Sequence, residues 1–493
     1  EILQKEHDMV NFRIISKIIG SLLFIEAFFM AWCVAVSAYF HEDDLVAFLL
    51  SMLVTFGSAF LFLLGGRKAE NSLSRQDAFV VVTAVWVIFS IFGMFPFLVH
   101  GCLPRIVDAY FETMSGFTTT GASIFDNVEV LPHGILFWRS LMQWIGGLGI
   151  VFFTIAILPS LVGGSVKVFA AEATGPIKAK MHPRLSTTAK WIWSIYLLLT
   201  IGCGVSFWAV GMNWFDAINY SMTTTATGGF SIHNDSLTFF HDFRIEYLAI
   251  IFQFLAGINF TLLYTSIFKA RFSSLFRNSE FKFYVSVVIL STIGIAAVLY
   301  VQSGYELEQA VRCALFQIVS FMTTTGIFSD NVANWPHITW IILGAVMFVG
   351  ACAGSTSGGF KCIRAVMTLK VLRNNFRQIL HPNAVLPVKI NGQSVPQARI
   401  VALFSFFTLF ILMIVITAGI MILSGIDMVN SIVIALSCVS NIGPSLSTDI
   451  GANITWSGMP DYIKWTLSLL MLMGRLEIMT VLVLFTRSFW KEN

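Results

Sequence analysis

The chain has 493 residues, of which 56% are apolar and only 12% are charged. Soluble domains contain about 45–50% apolar and about 25% charged residues, so this composition excludes a disordered chain, a nucleic-acid-binding protein and an ordinary soluble enzyme. The net charge of +3 is too small to indicate a polyanionic partner. Long apolar runs without alternation predict an all-α polytopic membrane protein.

Ten apolar segments follow one another along the chain, and a membrane-spanning helix needs about 20 apolar residues. They lie at 14–40, 45–65, 78–99, 134–160, 189–210, 245–268, 283–301, 337–349, 400–423 and 463–486. Ten spans place both termini on one side, and most of the 30 lysines and arginines lie on that side. The positive-inside rule then predicts that both termini are cytoplasmic.

A fourfold repeat connects the last eight segments. Between the two segments of each pair lies a short Thr/Ser-rich stretch that ends near a glycine, namely Gly121, Gly228, Gly326 or Gly443. Each stretch is too short to cross the membrane at about 1.5 Å per residue, so it must enter and return. Irregular backbone at that depth must be buried in protein or line water. A helix-packing pattern would not be expected four times, each time between two spans.

Four such loops around one axis would form a filter for a cation. Their backbone carbonyls can replace the hydration shell of the ion, and glycine permits the positive φ that points successive carbonyls inward. The C-terminal ends of four short helices also favour positive charge. The predicted filter residues are Thr119, Thr120, Gly121, Thr225, Ala226, Thr227, Gly228, Thr324, Thr325, Gly326, Asn441, Ile442 and Gly443.

These motifs resemble the Trk/Ktr/HKT superfamily of potassium transporters over essentially the whole chain, and the two additional N-terminal spans resemble its TrkH/TrkG type of membrane subunit. The resemblance implies a potassium-selective filter, with potassium as the transported ligand and no cofactor, in the bacterial inner membrane. It also implies a homodimer and a cytosolic ring of nucleotide-binding, TrkA-like regulatory subunits. The fourth loop departs from the pattern at Ser440–Pro444, so we expect an asymmetric filter that discriminates between ions less sharply than four identical loops would.

This interpretation divides the chain into six parts. We expect residues 1–8, which precede Met9, to be a remnant foreign to the natural sequence. The predicted parts are a cytoplasmic segment at 1–13, two additional spans at 14–75, and four pore repeats at 76–185, 186–280, 281–395 and 396–493.

One acidic residue follows each glycine on the predicted outer side: Asp126, Asp235, Asp330 and Asp449. A ring of carboxylates would concentrate cations at the mouth of the pore. Solvated loops or caps of the following helices would account for the same residues.

Arg475 lies inside the last apolar segment, where a charge is costly and faces a cavity or a partner. One interpretation is a positive barrier in the pathway below the filter, which the resemblance supports, and the other is a buried ion pair. For Arg139 we expect a structural ion pair.

The third repeat is interrupted after 337–349, which as a helix covers only about 20 Å of a core of about 30 Å. The following Gly/Ser stretch at 350–361 must therefore lie within the membrane and line a cavity. The resemblance implies a gate here, and the alternative is a flexible link to 361–380. The predicted gate residues are Gly350, Gly354, Ser355, Thr356, Ser357, Gly358, Gly359 and Arg475.

Two further functions compete with that of a channel-like protein. Symport of potassium with sodium or protons needs a titrating carboxylate in the membrane, for which Glu112 and Glu26 are the candidates. A membrane enzyme is disfavoured because the nine histidines show no metal-ligand spacing.

Overall fold

The computed structural model describes residues 10–69, 73–149, 185–444, 446 and 456–490. Among these residues the structure is helical, apart from one antiparallel hairpin in which Lys389–Ile390 pairs with Gln393–Ser394. Two helices precede the repeats, α1 (Phe12–Phe40) and α2 (Leu45–Gly65), and they pack closely as an antiparallel pair. Gly20 permits the approach, because a β-carbon there would lie 2.8 Å from the backbone of Ala59.

The order long helix, short helix, second helix then occurs four times. The first set is α3 (Arg75–Gly93) with its extension α4 (Phe95–His100), the short helix α5 (Ile106–Phe117) and α6 (His133–Gly147). The second set is α7 (Leu185–Val210), the short helix α8 (Trp214–Thr225), α9 (Phe243–Ala256) and α10 (Phe260–Ile267), followed by α11 (Phe272–Arg277).

The last two sets have the same order. The third is α12 (Ser279–Gln302), the short helix α13 (Leu307–Met322) and α14 (His337–Val349), followed by α15 (Cys362–Leu380). The fourth is α16 (Gln397–Leu423), the short helix α17 (Met428–Ser440), α18 (Asp461–Arg475) and α19 (Met479–Leu482). Single 3₁₀ turns lie at Ser236–Phe240, Val332–Asn334, Val483–Phe485 and Arg487–Phe489.

Six of the described helices are long and apolar enough to cross a membrane, and eight if each bent pair counts as one span. The chain is therefore an all-α multi-pass membrane protein, as the composition predicted. The predicted spans at 245–268 and 463–486 are each formed by two helices, whose axes bend by 103° and 108°. The first bend follows from Asn259, whose side chain accepts from the amide of Thr261 and starts a new helix.

The second helices of all four sets are short, with 15, 14, 13 and 15 residues. They end at Gly147, Ala256, Val349 and Arg475. The interruption that the sequence indicated only after 349 thus has counterparts at the ends of α6, α9 and α18. The part of the predicted span 134–160 beyond residue 149 lies outside the described residues. Gly146, Gly257 and Gly474 near these ends pack against Phe117, Thr323 and Val439, so the ends lie beside the C-terminal ends of short helices.

Candidate ion pathway

Each short helix leads into a loop with the same backbone conformation. The first residue of the pattern is left-handed, with φ of 54°, 52°, 57° and 56° at Thr119, Thr227, Thr324 and Asn441. Two positions later comes a glycine with φ of 84°, 80°, 77° and 92°, at Gly121, Gly229, Gly326 and Gly443. Left-handed residues that alternate with ordinary ones turn successive carbonyls toward one side, and glycine adopts this conformation without steric cost.

The structural equivalent of Gly121 in the second loop is Gly229, so the choice of Gly228 from the sequence is corrected by one position. The amide of Thr120 donates to the carbonyl of Ser115 at 2.9 Å, and the amide of Gly228 makes the matching bond to Thr223 at 2.9 Å. Gly228 therefore occupies the place of Thr120. The doublet Gly228-Gly229 allowed two alignments, and the sequence contained no signal that separated them.

The four loops meet one another in a closed cycle. A β-carbon at each positive-φ glycine would overlap a carbonyl oxygen of the next loop: Gly121 with Gly228, Gly229 with Thr325, Gly326 with Ile442, and Gly443 with Thr120. The carbonyl that each glycine meets belongs to the residue before the next glycine. The predicted filter residues of all four repeats are thus brought together around one axis, with Thr225 one helical position before the loop.

The first two loops are held from behind by buried side chains. Arg139 pairs with Glu112 at 2.8 Å and donates to the carbonyl of Ser231 at 2.8 Å, which joins the first loop to the second. The side chains of Arg139 and Glu112 are 2% and 0% exposed. Gln143 donates to the carbonyl of Gly228 at 2.7 Å and accepts from the amide of Phe230 at 3.0 Å.

The divergent fourth loop is tied to its neighbour by its unusual residue. The side-chain amide of Asn441 donates to the hydroxyl of Thr120 and to the carbonyl of Met471, both at 2.9 Å. A threonine could not make both bonds, because its hydroxyl has one hydrogen. The asparagine thus links the first loop to α18.

Arg475 contacts the start of the first loop, next to the C-terminal end of α5. Its guanidinium donates to Thr119 Oγ1 at 3.1 Å, to the carbonyl of Thr356 at 2.9 Å, and to the carbonyls of Gly146 and Gly147 at 2.5 and 2.7 Å. These contacts join the filter, α6 and the predicted gate segment. The nearby Glu477 pairs with Arg364 of α15 at 2.7 Å.

The segment 350–361 is packed against the underside of the filter. The amide of Gly358 donates to Thr324 Oγ1 at 2.7 Å, and the hydroxyl of Thr356 lies 3.2 Å from the carbonyl of Thr225 and 3.3 Å from that of Ala256. Positive φ at Gly350, Gly354 and Gly359 gives the segment its turns. Ser355 bonds back to the segment itself, through Cys352.

Two charged residues around the segment 350–361 were not among the site residues predicted from the sequence. Buried Lys361 donates from Nζ to the carbonyl of Ser357. Buried Glu280, at the start of α12, accepts from the amides of Ala353 and Ile363 at 2.6 and 3.1 Å. Lys361 directly follows the Gly/Ser stretch and was visible as a charge there, whereas nothing local marks Glu280.

The predicted acidic residues do not form a uniform ring. Asp126 and Asp235 are exposed on the far side of the ring from Arg475, and Asp449 lies outside the described residues. Asp330 instead accepts from the Tyr305 hydroxyl at 2.8 Å and from Trp335 Nε1 at 3.1 Å. Burial and this bond to Asp330 raise the pKa of Tyr305 to about 12, so its hydroxyl remains a donor. A cleft of about 120 Å³ opens between Asp126 and the glycine ring.

Comparison with known proteins agrees with this architecture. The model of the TrkH family, described as "Cation transport protein", matches residues 50–492. The chain is 35% identical over 485 residues to the Trk system potassium uptake protein TrkH of Halomonas elongata, which covers 98% of this chain and 100% of that protein. The chain belongs to the TrkH family.

Other members of the TrkH family are similarly related. TrkH of Escherichia coli K12 is 34% identical over 487 residues, again with 98% and 100% coverage, and TrkG of the same strain is 31% identical over 489 residues. The crystal structure of the potassium transporter TrkH from Vibrio parahaemolyticus superimposes with a TM-score of 0.89 at 31% identity and covers 98% of this chain and 100% of that one. The TrkH-family fold therefore extends over the whole of the described chain.

Proposed function

We propose that this protein takes up potassium ions through the ring of four filter loops. The observation that carries the proposal is the closed cycle of contacts from Gly121, Gly229, Gly326 and Gly443 to carbonyl oxygens of the next loop. Such a ring supplies oxygen ligands from four directions, which suits a monovalent cation that must lose its water. Relatives named as potassium uptake proteins support potassium as that ion.

The pathway runs from the exposed Asp126 and Asp235 through the filter to Arg475. The carboxylates raise the local cation concentration, and the guanidinium below the ring opposes the passage of a cation. The segment 350–361 is the gate, because Gly358 and Thr356 bond to the underside of two filter loops and Arg475 bonds to Thr356. Movement of the segment would open the space below the ring.

The family and the charges support proposals about the oligomeric state, the membrane and the partner of the protein. We infer a homodimer in the bacterial inner membrane, with both termini in the cytoplasm and a cytosolic nucleotide-binding partner that controls the gate. The exposed Arg373 and Arg377 on α15 support such a docking surface, since α15 begins directly after the gate segment.

Flux through the purified protein in liposomes tests the function. We expect potassium flux that greatly exceeds sodium flux and does not depend on a sodium or proton gradient. Equal flux of the two ions would defeat the assignment of the filter.

Coupled transport of potassium with protons or sodium is the second candidate. The observation in its favour is Glu26 of α1, whose carboxylate is fully buried and bonds to none of the residues that the structure describes. Glu112, the other candidate, is paired with Arg139. Potassium flux that follows an imposed proton gradient in the wild type, but not in Glu26→Gln, would establish coupling.

A further inference from the structure

Among the described residues, the third filter loop lacks side-chain bonds that are present at the equivalent positions of the first two loops. The positions can be compared because Glu112, Tyr220 and Gln317 each lie nine residues before the positive-φ glycine of their loop. Glu112 accepts from the amide of Ile124 at 2.8 Å, and Tyr220 bonds through its hydroxyl to Ser231 Oγ at 2.7 Å. Gln317 is fully buried, and neither of its amide atoms bonds to any residue in the described ranges.

A second buried glutamine, Gln253, also lacks the bonds that its equivalent in the preceding repeat makes. Gly147 and Gly257 occupy equivalent positions. A β-carbon on Gly147 would meet Ala226, and one on Gly257 would meet Thr323; each of these residues lies three positions before the positive-φ glycine of its loop. Gln143 and Gln253 each lie four residues before those glycines. Gln143 bonds to the second loop on both sides of Gly229. Gln253 is fully buried too, and both of its amide atoms lack a partner among the described residues.

A serine of the loop itself adds a fifth buried polar atom to the four amide atoms of Gln253 and Gln317. Ser329 stands at the position of Ile124, three residues after the glycine, and its buried hydroxyl also has no partner within the described part of the chain. Helices α9 and α13, which carry Gln253 and Gln317, pack against each other. The equivalent side chains Gln143 and Tyr220 reach adjacent residues, Phe230 and Ser231.

We propose that Gln253, Gln317 and Ser329 form a buried water-binding site behind the third filter loop. Buried amides and hydroxyls are nearly always hydrogen-bonded, and ordered water supplies the bond where protein does not. A buried water makes two to four bonds, which two amides and a hydroxyl can provide. At these equivalent positions the first two loops are thus bonded directly to side chains, whereas water makes the bonds at the third loop.

This arrangement makes the third loop the one whose shape depends on hydration. Two side chains among the described residues bond directly to this loop: Ser320 Oγ donates to the carbonyl of Ile327 at 2.7 Å, and Ser236 Oγ accepts from the amide of Phe328 at 3.4 Å. The hydroxyl of Thr324 in this loop also accepts a hydrogen bond from the amide of Gly358 in the gate segment. The loop that this water would support is therefore also the loop that contacts the gate segment.

A high-resolution cryo-EM map of the whole protein in nanodiscs of phosphatidylethanolamine and phosphatidylglycerol tests the site directly. We expect water density within hydrogen-bond distance of the Gln253 and Gln317 amides, and none in the double variant Gln253→Leu/Gln317→Leu. Glutamines bonded directly to the loop would overturn the proposal. So would thallium density at this position after exchange of potassium for thallium, since that would make it a cation site.

The role of the site in selectivity rests on the proposed function. We expect the double variant to keep its thermal midpoint, because apolar side chains replace amides that bond to no described protein group. We also expect it to lose several-fold in the potassium-to-sodium flux ratio. Gln143→Leu is the matched control, in which a direct bond is lost and the midpoint falls. An unchanged ratio in a dry double variant would overturn the role of the water. Absence of potassium flux in the wild type would instead defeat the proposed function, and the map would still decide the site.

Discussion

Arg475 donates a hydrogen bond of 3.1 Å to the hydroxyl of Thr119, the left-handed residue that begins the first filter loop. The same guanidinium holds the carbonyls of Thr356, Gly146 and Gly147. One side chain therefore connects the filter to the gate segment and to the end of α6. A displacement of the segment cannot leave these bonds unchanged.

Replacement of Arg475 by alanine should raise basal potassium flux several-fold, because it removes the positive charge below the ring and the bond to Thr356. Arg475→Lys is the control, since it keeps the charge but has no planar group able to hold four acceptors. We expect it to lie between the wild type and the alanine variant in a liposome flux assay. Slower flux in Arg475→Ala than in the wild type would argue against a barrier.

Thr356→Val should also raise basal flux, because it removes the hydroxyl that contacts the carbonyls of Thr225 and Ala256 while keeping the size of the side chain. Deletion of 355–358 should have the larger effect. Ser355→Ala is a suitable control, since Ser355 bonds within the segment. If the variant lacking 355–358 folded and carried less potassium than the wild type, the segment would not be a gate.

The register of the second loop can be tested with two neighbouring glycines. A side chain at Gly229 would overlap the carbonyl of Thr325, whereas one at Gly228 would meet the side chain of Gln143, which can move. We therefore expect Gly229→Ala to reduce the potassium-to-sodium flux ratio more than Gly228→Ala. Gly121→Ser should weaken selectivity in the same way as Gly229→Ser. The reverse order for the two alanine variants would restore Gly228 as the filter glycine.

The buried pair of Arg139 and Glu112 should behave as a unit. Removal of one partner leaves a buried charge uncompensated, which costs about 3–5 kcal/mol. Arg139→Met should therefore lower the thermal midpoint strongly, and the added change Glu112→Gln should recover part of the loss. Thermal unfolding of the detergent-solubilised variants measures both. If the double variant lost as much stability as the sum of the losses of Arg139→Met alone and Glu112→Gln alone, the pair would not be a coupled unit.

The acidic residues should separate into two classes. Asp126→Asn and Asp235→Asn should reduce potassium flux at low ionic strength and have less effect at high salt, because exposed charges are screened. Asp330→Asn should lower stability instead, since Asp330 accepts from Tyr305 and Trp335. Flux measured against ionic strength, together with the thermal midpoints, distinguishes the classes. A salt-independent loss at Asp126 would contradict its role at the mouth.

Much of this architecture could be predicted from apolar runs and from repetition along the chain. Lipid surroundings require long apolar helices, and a short polar stretch between two of them has to return, so the fold class was predictable and is confirmed. The interruption after Val349 was also visible, because 13 residues are too few to cross the membrane. These features depend on local composition and length, which are properties of the sequence alone.

The remaining features depend on contacts between segments about 100 residues apart. Whether Gly228 or Gly229 carries the positive φ is decided by the carbonyl of Thr325 against it and by the bonds of Gln143. The bonds from Asn259 to Ala353, from Arg364 to Glu477 and from Arg139 to Ser231 likewise join segments that are far apart in the chain. Local sequence patterns determine that a short segment returns between two apolar helices, but packing of the four loops around one axis determines which of its atoms face the axis and which face the surrounding protein.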